Sequence, residues 1–471
     1  MSVISRTTLM LLALVLITSA CAPTASDTLP PPEDTATPPA VSASPFPTNT
    51  SPPVDWPGNA TASPNTTPFT VTTTAFVAAT QTSTPPPTLG PPSGQLFPDA
   101  EVVYSPTGLD FNTGTYLQTQ QGFLSSYRQY LMINGWNSGA DLIDRIALEN
   151  SINPRLLLAL LEYQSGCVLG QPELAEDFSG ALGAKDYYRQ DLYGQLIWAV
   201  HELSLGYYGW RMGALTEISL IDGKILPLQP ELNAGTVAIQ YFFAQLYGES
   251  DWHQVLDPET GFPALYERMF GDPWVRAASY IPIIPDHLTQ PELSLPFEPG
   301  RKWAFTGGPH ASFEGNGPLA ALDFAPAIDE PGCYPSDQWV VAMADGLVVR
   351  SEDGLVIQDL DLDGNEQTGW NLMYLHIGTQ NRVPVGSYVQ AGGRIGHPSC
   401  EGGRATGTHV HIARKYNGEW IAADGPLPFV LDGWRAHNGS EPYLGTLTRA
   451  DETVTAHVVG SIISQLEKDE P

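Results

Sequence analysis

Hydrophobic periodicity divides the chain into a helical stretch followed by a stretch of strands. The helical stretch contains long apolar runs such as "INPRLLLALLEYQSG", where Asn153 is placed to cap a helix, Pro154 opens it and Gly166 ends it. From about residue 295 onward, short apolar runs alternate with turns rich in Gly and Asp, which is typical of an antiparallel sheet. The pattern predicts a mostly α domain over 97–290 and a mainly antiparallel β domain over 292–440.

One predicted strand in the β part carries two histidines. It lies within "GTHVHIARKYNGEW", residues 407–420, and because strand side chains alternate between faces, His409 and His411 point the same way. Asn417-Gly418 then favours a tight hairpin, since both central residues of that turn need positive φ. By itself, the pair fits either a metal site or two polar residues on an exposed face.

The N-terminus has the features of an export signal. Arg6 precedes a short apolar run, and small residues at 18–20 lead directly to Cys21. This stretch, residues 1–20 with Cys21, resembles the lipobox of bacterial lipoproteins. The resemblance implies a mature chain that begins at a lipidated Cys21 and is anchored to a membrane in the cell envelope; without lipidation, the protein is secreted.

Composition sets limits on the rest of the chain. Residues 21–96 are rich in Thr, Pro and Ser and predict a disordered tether, because so little apolar surface cannot form a core. No later run is long and apolar enough to span a bilayer. The formal net charge of −30 excludes electrostatic capture of nucleic acid as the main role. Residues 441–471 are predicted to be a C-terminal tail.

Three stretches of the β part carry a recognisable set of metal-binding and catalytic residue types. They are "GGPHASFEGNGPLAALDFAP", "LMYLHI" and "GTHVHIA", and they supply His310, Asp323, His376, His409 and His411. Their order and the residues around them resemble the LytM or lysostaphin type of zinc endopeptidase, which cuts peptidoglycan peptides. A gap of thirteen residues between His310 and Asp323 is similar to the staphylolytic subgroup of that family.

The resemblance assigns a role to each of these residues. It implies that His310, Asp323 and His411 bind one zinc ion, that His376 and His409 are catalytic, and that the β domain has a duplicated hybrid motif or a related β-sandwich-like fold. Two His and one Asp also meet the usual requirement of catalytic zinc for three N or O ligands with one open position. A neutral histidine can then act as the base, because its ordinary pKa lies near working pH.

The function predicted from this set is hydrolysis of wall peptides outside the cytoplasm. The partners implied are peptidoglycan peptides and, through Cys21, a membrane. The alternative is a catalytically silent module that binds the wall and activates another hydrolase.

The helical part has a second, weaker resemblance, to the lysozyme-like lytic transglycosylases. Gln164 stands where that family has its catalytic glutamate, and an amide cannot donate a proton as a carboxylic acid does. Glu162 lies two positions away, about 200° around the helix. Glycan cleavage is therefore disfavoured, and the helical domain is expected to bind the wall or act as a spacer.

Two further features concern cysteines and acidic residues. Export permits a disulfide, and Cys333 and Cys400 lie in the same predicted domain, so we expect them to pair and leave Cys167 as a free thiol. The sequence "DLDLDGNEQ" is similar to a calcium loop, with acidic side chains at 359, 361 and 363. Trp370 replaces the bidentate glutamate of such loops, which favours a solvated turn, and calcium stays open.

Overall fold

The structure is a computed structural model that describes residues 94–172, 178–185, 189–313, 315–327 and 332–470. The predicted signal segment, Cys21 and nearly all of the predicted tether lie outside these residues. None of the helices within them combines the length and the apolar character that crossing a membrane requires.

The first half of the described chain is mostly helical, as its periodicity predicts. Its helices are α1 (Asp99–Val102), α2 (Thr113–Gln120), α3 (Gly139–Asn150), α4 (Pro154–Ser165), α5 (Leu192–Arg211), α6 (Ala234–Ala244), α7 (Glu249–Val255), α8 (Phe262–Phe270) and α9 (Pro273–Ala277). The signals that predict α4 act as expected: the Asn153 side chain accepts the backbone N–H of Arg155, and Gly166 ends the helix with a φ of 65°.

Strands dominate the second half. Two short hairpins in the helical half contribute β1 (Arg128–Leu131), β2 (Gly135–Ser138), β3 (Glu217–Ser219) and β4 (Ile225–Pro227). The later strands are β5 (Lys302–Phe313), β6 (Asn316–Pro326), β7 (Val340–Val341), β8 (Gly346–Glu352), β9 (Leu355–Asp359), β10 (Trp370–Leu375), β11 (Tyr388–Val389), β12 (Arg394–Gly396), β13 (Val410–Tyr416), β14 (Glu419–Trp420), β15 (Val430–Leu431), β16 (Trp434–His437), β17 (Thr446–Arg449), β18 (Glu452–Thr455) and β19 (Gln465–Glu467).

The principal sheet is antiparallel and runs in the order β11-β8-β9-β10-β13-β6-β5-β19, with β14 paired to the end of β13. The turn from β13 to β14 is the predicted one, with positive φ at both Asn417 (48°) and Gly418 (78°). A second sheet of four strands has the order β15-β16-β17-β18. The predicted helical half and antiparallel β half are thus confirmed.

The two faces of the principal sheet belong to different cores. Val410, Ile412 and Tyr374 point to a core formed by the β half itself. Ala413 and Met373 point the other way, into the core of the helices. Since side chains alternate along a strand, His411 lies on the face that the helical part covers. The helical and β parts therefore share a continuous core rather than meeting at a linker.

Polar contacts reinforce this shared core. Glu419, which is 2% exposed, accepts hydrogen bonds from the hydroxyl of Tyr207 and from Arg211, both at 2.9 Å. Arg211 also pairs with Asp99 at 3.0 Å, so a charge network around the buried carboxylate of Glu419 joins α1, α5 and β14. The ring of Tyr207 is fully buried in this interface.

The structure differs from the sequence prediction at the C-terminus. Residues 441–471 were expected to form a tail, yet they contain β17, β18 and β19. β19 pairs with β5, so that Leu466 lies opposite Trp303 at the edge of the principal sheet. The three strands are only three or four residues long, which explains why their pattern is weak in the sequence.

The contacts around α4 argue against a lysozyme-like catalytic centre. The carboxylate of Glu162 accepts the backbone N–H groups of Val168 (3.0 Å) and Leu169 (2.9 Å), and so caps the segment after the helix. Gln164 accepts a hydrogen bond from the hydroxyl of Tyr247. Cys167 lies just beyond α4 rather than within it, and its thiol is free and buried.

Candidate metal centre

Three neighbouring strands bring the predicted ligands together. β5 and β6 form a long hairpin that carries His310 and Asp323, and β13 pairs with β6 so that His411 lies directly opposite Asp323. β10 lies on the other side of β13, with Leu375 opposite His411 and His376 immediately after the strand. His409 directly precedes β13. Strand register alone therefore collects five side chains at one end of the sheet.

The three predicted ligands present their atoms to one point. Nε2 of His310 is 2.9 Å from Oδ1 of Asp323, and Nδ1 of His411 is 3.3 Å from the same oxygen. All three ligand atoms lie within 4.8 Å of one another, and the residues are only 4–7% exposed. Such a spacing suits three ligands that share one small cation.

The hydrogen bonds fit a bound metal ion. Nε2 of His310 and Oδ1 of Asp323 are buried and have no partner of hydrogen-bond geometry among the described residues. Nε2 of His411 lies 2.9 Å from the carbonyl oxygen of Ser312. A carbonyl can only accept a hydrogen bond, so Nε2 carries the proton and Nδ1 keeps a lone pair. Two orphaned atoms and one free lone pair thus face the same point, which is the arrangement that a zinc ion satisfies.

Electrostatics keep the carboxylate charged. Burial by itself raises the pKa of Asp323, but His310 and His409 beside it outweigh burial and hold that pKa well below its ordinary value. A charged Asp with two neutral His gives a site of net positive charge once a divalent cation binds. The donor set therefore fits zinc and matches the predicted ligands His310, Asp323 and His411.

His376 and His409 form a second pair next to the ligands. Their ring centroids are 4.4 Å apart, and Nε2 of His409 is 3.9 Å from Oδ2 of Asp323. Each donates from Nδ1 to a backbone carbonyl, of Glu401 (2.8 Å) and Gly407 (2.7 Å) respectively, which leaves Nε2 as the ring nitrogen available for other contacts. Burial, followed by the neighbouring His409 and His411, lowers the pKa of His376 to about 3. His376 is therefore neutral at neutral pH and keeps a lone pair on Nε2.

Tyr443 is a member of the site that the sequence did not indicate. Its ring stacks on that of His310, with centroids 4.0 Å apart and planes inclined by 14°. Gly307 makes room for this, since a Cβ there would lie 2.8 Å from the Tyr443 ring and 2.9 Å from Oδ2 of Asp323. No local pattern marks Tyr443, because its approach to His310 depends on the folding of the C-terminal strands.

Two other predicted features are visible. Cys333 and Cys400 are joined by a disulfide with a Cα–Cα distance of 5.7 Å. The acidic side chains of Asp359, Asp361 and Asp363 converge within 4.8 Å, and Asp359 accepts the backbone N–H groups of Asp361 and Gly364. These contacts are those of a tight turn.

Comparison with known proteins finds a family model and several relatives. A family model described as "LasA, N-terminal domain" matches residues 95–283, which is the helical part. Protease LasA of Pseudomonas aeruginosa is 27% identical over 299 residues, covering 58% of this chain and 65% of its own length. The chain thus spans just under two thirds of that relative. Nothing in these matches supports a lysozyme-like helical domain.

Other relatives match a shorter part of the chain. Beta-lytic metalloendopeptidase of Lysobacter enzymogenes is 28% identical over 145 residues, which cover 30% of this chain and 78% of that protein. Among solved structures, the M23 metalloprotease pseudoalterin is 22% identical with a TM-score of 0.30, covering 36% of this chain and 96% of its own. Together with the motif order, the matches to Protease LasA and to beta-lytic metalloendopeptidase confirm the resemblance to the LytM type of endopeptidase that the sequence indicates.

Proposed function

We propose that this chain is an extracytoplasmic zinc metalloendopeptidase that hydrolyses peptide bonds of bacterial peptidoglycan. The observation that carries the proposal is the convergence of three ligand atoms, two of them buried and unpartnered, beside two histidines that each keep Nε2 available for other contacts. Its relatives are named as a protease and metalloendopeptidases, which supports the reaction class.

Each residue has a distinct part in this reaction. His310, Asp323 and His411 would hold one zinc ion, which supplies Lewis-acid polarisation of the scissile carbonyl and lowers the pKa of water. His376 is neutral and accepts a proton at Nε2, while its Nδ1–H stays fixed on the carbonyl of Glu401. His409, held in the same tautomer by Gly407, is placed to hold a proton or donate it to the developing oxyanion or the leaving amine.

The location and extent of the enzyme are part of the proposal. We infer export through residues 1–20 and attachment through a lipidated Cys21, with 21–96 as the tether that lets the enzyme reach wall peptides. The helical domain spans about 97–290. The peptidase part begins near 292 and includes the strands up to Glu467, since β19 pairs with β5.

The test is digestion of purified peptidoglycan with the purified chain, followed by mass spectrometry of the products. New amine-bearing peptide ends are expected, and a chelator should abolish them. His411→Ala serves as the matched inactive control. Intact peptides with tight wall binding would instead support the silent regulatory module, and anhydro-sugar ends would mean glycan cleavage.

A further inference from the structure

A short segment from Ser399 to Glu401 wraps around His376. The backbone N–H and the hydroxyl of Ser399 both donate to the carbonyl of His376, at 2.7 and 3.0 Å. The carbonyl of Glu401 accepts the Nδ1–H of the same histidine at 2.8 Å. His376 thus has its backbone and its ring held from one three-residue segment.

His376 needs such support because its backbone is unfavourable. Its φ is 66°, in the left-handed region that only a few per cent of non-glycine residues adopt, although histidine enters it more readily than most. A residue keeps such a conformation only when the surrounding contacts impose it. The hydrogen bonds from Ser399 to the carbonyl of His376 are contacts of this kind.

The same segment also reaches the second histidine. The carbonyl of Ser399 accepts the backbone N–H of His409 at 3.3 Å, and the two residues form an isolated β-bridge. Next to His409, the N–H of Thr408 donates to the carbonyl of Gly332 at 3.0 Å. His409 is therefore placed between residue 399 and residues 332–333.

The disulfide joins these two supports. Cys400 is the central residue of the segment that holds His376, and Cys333 follows Gly332 directly. Neither cysteine lies in a regular strand, and Cys333 is exposed, so among the described residues the backbone hydrogen bonds link the two segments only through Thr408 and His409. The covalent link joins them directly, across a separation of 67 residues.

One other contact supports the segment from behind. Gly354 lies so close that a Cβ there would be 2.5 Å from the carbonyl carbon of Glu401, and its own carbonyl accepts the N–H of Ile377 at 2.8 Å. Neither of these contacts involves the disulfide. Loss of the disulfide is thus expected to loosen His376 rather than unfold the site.

We propose that the Cys333–Cys400 disulfide positions the two catalytic histidines by fixing the segment 399–401. This segment holds the backbone of His376 and its Nδ1–H tautomer, and it also holds the backbone of His409. The inference rests on the proposed function, because it takes His376 and His409 as the reacting groups. The ligands His310, Asp323 and His411 make no hydrogen bond to this segment among the described residues. The disulfide therefore acts on turnover and not on metal retention.

The test compares Cys333→Ser/Cys400→Ser with Ser399→Ala, which keeps the disulfide but removes the hydroxyl bonds to His376 and Glu401. We expect both to keep the zinc stoichiometry of the unaltered chain and a KM within about twofold. The kcat should fall at least about tenfold, as expected for a misplaced catalytic group. The control is Val454→Ala in β18, a variant expected to lose thermal stability without altering the segment 399–401. Its kcat should equal that of the unaltered chain, which separates a positioning effect from a general loss of stability.

A second readout does not depend on activity. With ¹⁵N-labelled histidine, the ring nitrogens of His376, assigned by comparison with His376→Gln, should report a single Nδ1–H tautomer in the unaltered chain. The double serine variant should show a mixture of tautomers. The inference would be overturned if both variants kept the kcat and the His376 spectrum of the unaltered chain. It would also be overturned if Ser399→Ala lost zinc in parallel with its kcat.

The outcomes separate this inference from the proposed function. If the unaltered chain cleaves no wall peptide, the proposed function fails, and the ring nitrogen spectra still decide the positioning. A tautomer that is the same with and without the disulfide then refutes the inference. A tautomer that changes supports it.

Discussion

The ring of Tyr443 lies nearly parallel to that of His310, with the ring centroids 4.0 Å apart. The contact joins the loop before β17 to the middle of β5, and it covers a predicted metal ligand. A stacked ring restricts the rotation of the imidazole and so favours the orientation in which Nε2 faces Asp323.

Replacing Tyr443 should therefore weaken metal binding. Stacked aromatic pairs contribute about 0.5–1.5 kcal/mol, so Tyr443→Ala is expected to lower the zinc affinity by up to about tenfold. Tyr443→Phe keeps the stacking and should bind zinc nearly as the unaltered chain does. Competition with a chromogenic chelator measures both. Equal losses in the two variants would assign the effect to the hydroxyl instead of the ring.

Removing a metal ligand should lower the zinc content of the protein, whereas changes elsewhere in the site should not. His411→Ala is expected to lose most of its zinc and its activity together, because it removes one of three ligands. His397→Ala provides the control, since His397 belongs to none of the groups that converge on Asp323. Elemental analysis after dialysis gives the stoichiometry. Full occupancy in His411→Ala would contradict the ligand assignment.

The neighbouring histidines should affect rate and not metal content. We expect His376→Ala and His409→Ala each to keep zinc and to lose at least about 100-fold in turnover, the scale of a lost general base or oxyanion donor. Cleavage of a cross-linked wall peptide and zinc content are measured on the same samples. A variant that loses its metal would show that its histidine is a ligand, and near-full activity in both would favour the silent regulatory module.

The buried network around Glu419 should make the helical part and the sheet unfold together. Arg211→Met leaves Glu419 buried without its cation, and we expect the free energy of unfolding to fall by about 3–5 kcal/mol. Lys224→Met breaks a pair between exposed side chains and should cost at most about 1 kcal/mol. Denaturant unfolding followed by two probes tests this. Separate transitions for helix and sheet signals would contradict a shared core.

The acidic turn after β9 predicts a pH dependence of stability. Burial, followed by hydrogen bonding to Asp359 and its charge, raises the pKa of Asp361 to about 7. A raised pKa means that the folded state binds the proton more tightly, so the stabilising contribution is complete below pH 4 and is lost as pH rises through 7.

Asp361→Asn should consequently gain stability relative to the unaltered chain, and the gain should be larger at pH 8 than at pH 4. Denaturant titrations in the presence of a chelator measure the difference. The same titrations with added calcium test whether the turn binds this ion. If calcium strongly stabilises the unaltered chain but not Asp361→Asn, the turn binds calcium.

Local signals in the sequence were enough for several elements. Asn153, Pro154 and Gly166 bound α4 because caps and φ preferences act within a few residues. Asn417-Gly418 sets the hairpin for the same reason. The order of His310, Asp323 and the His-x-His pair indicated the family because these residues lie in short local stretches of strand and turn that resemble its motifs.

Only the tertiary structure decided what these elements do together. Strand register places His411 opposite Asp323, and the folding back of residues 441–467 brings Tyr443 onto His310. The continuous core of helices and sheet, and the capping role of Glu162, also depend on contacts between distant segments. Periodicity shows which side of a strand is apolar, but it does not show which partner covers that side, because the partner is set by packing over the whole chain.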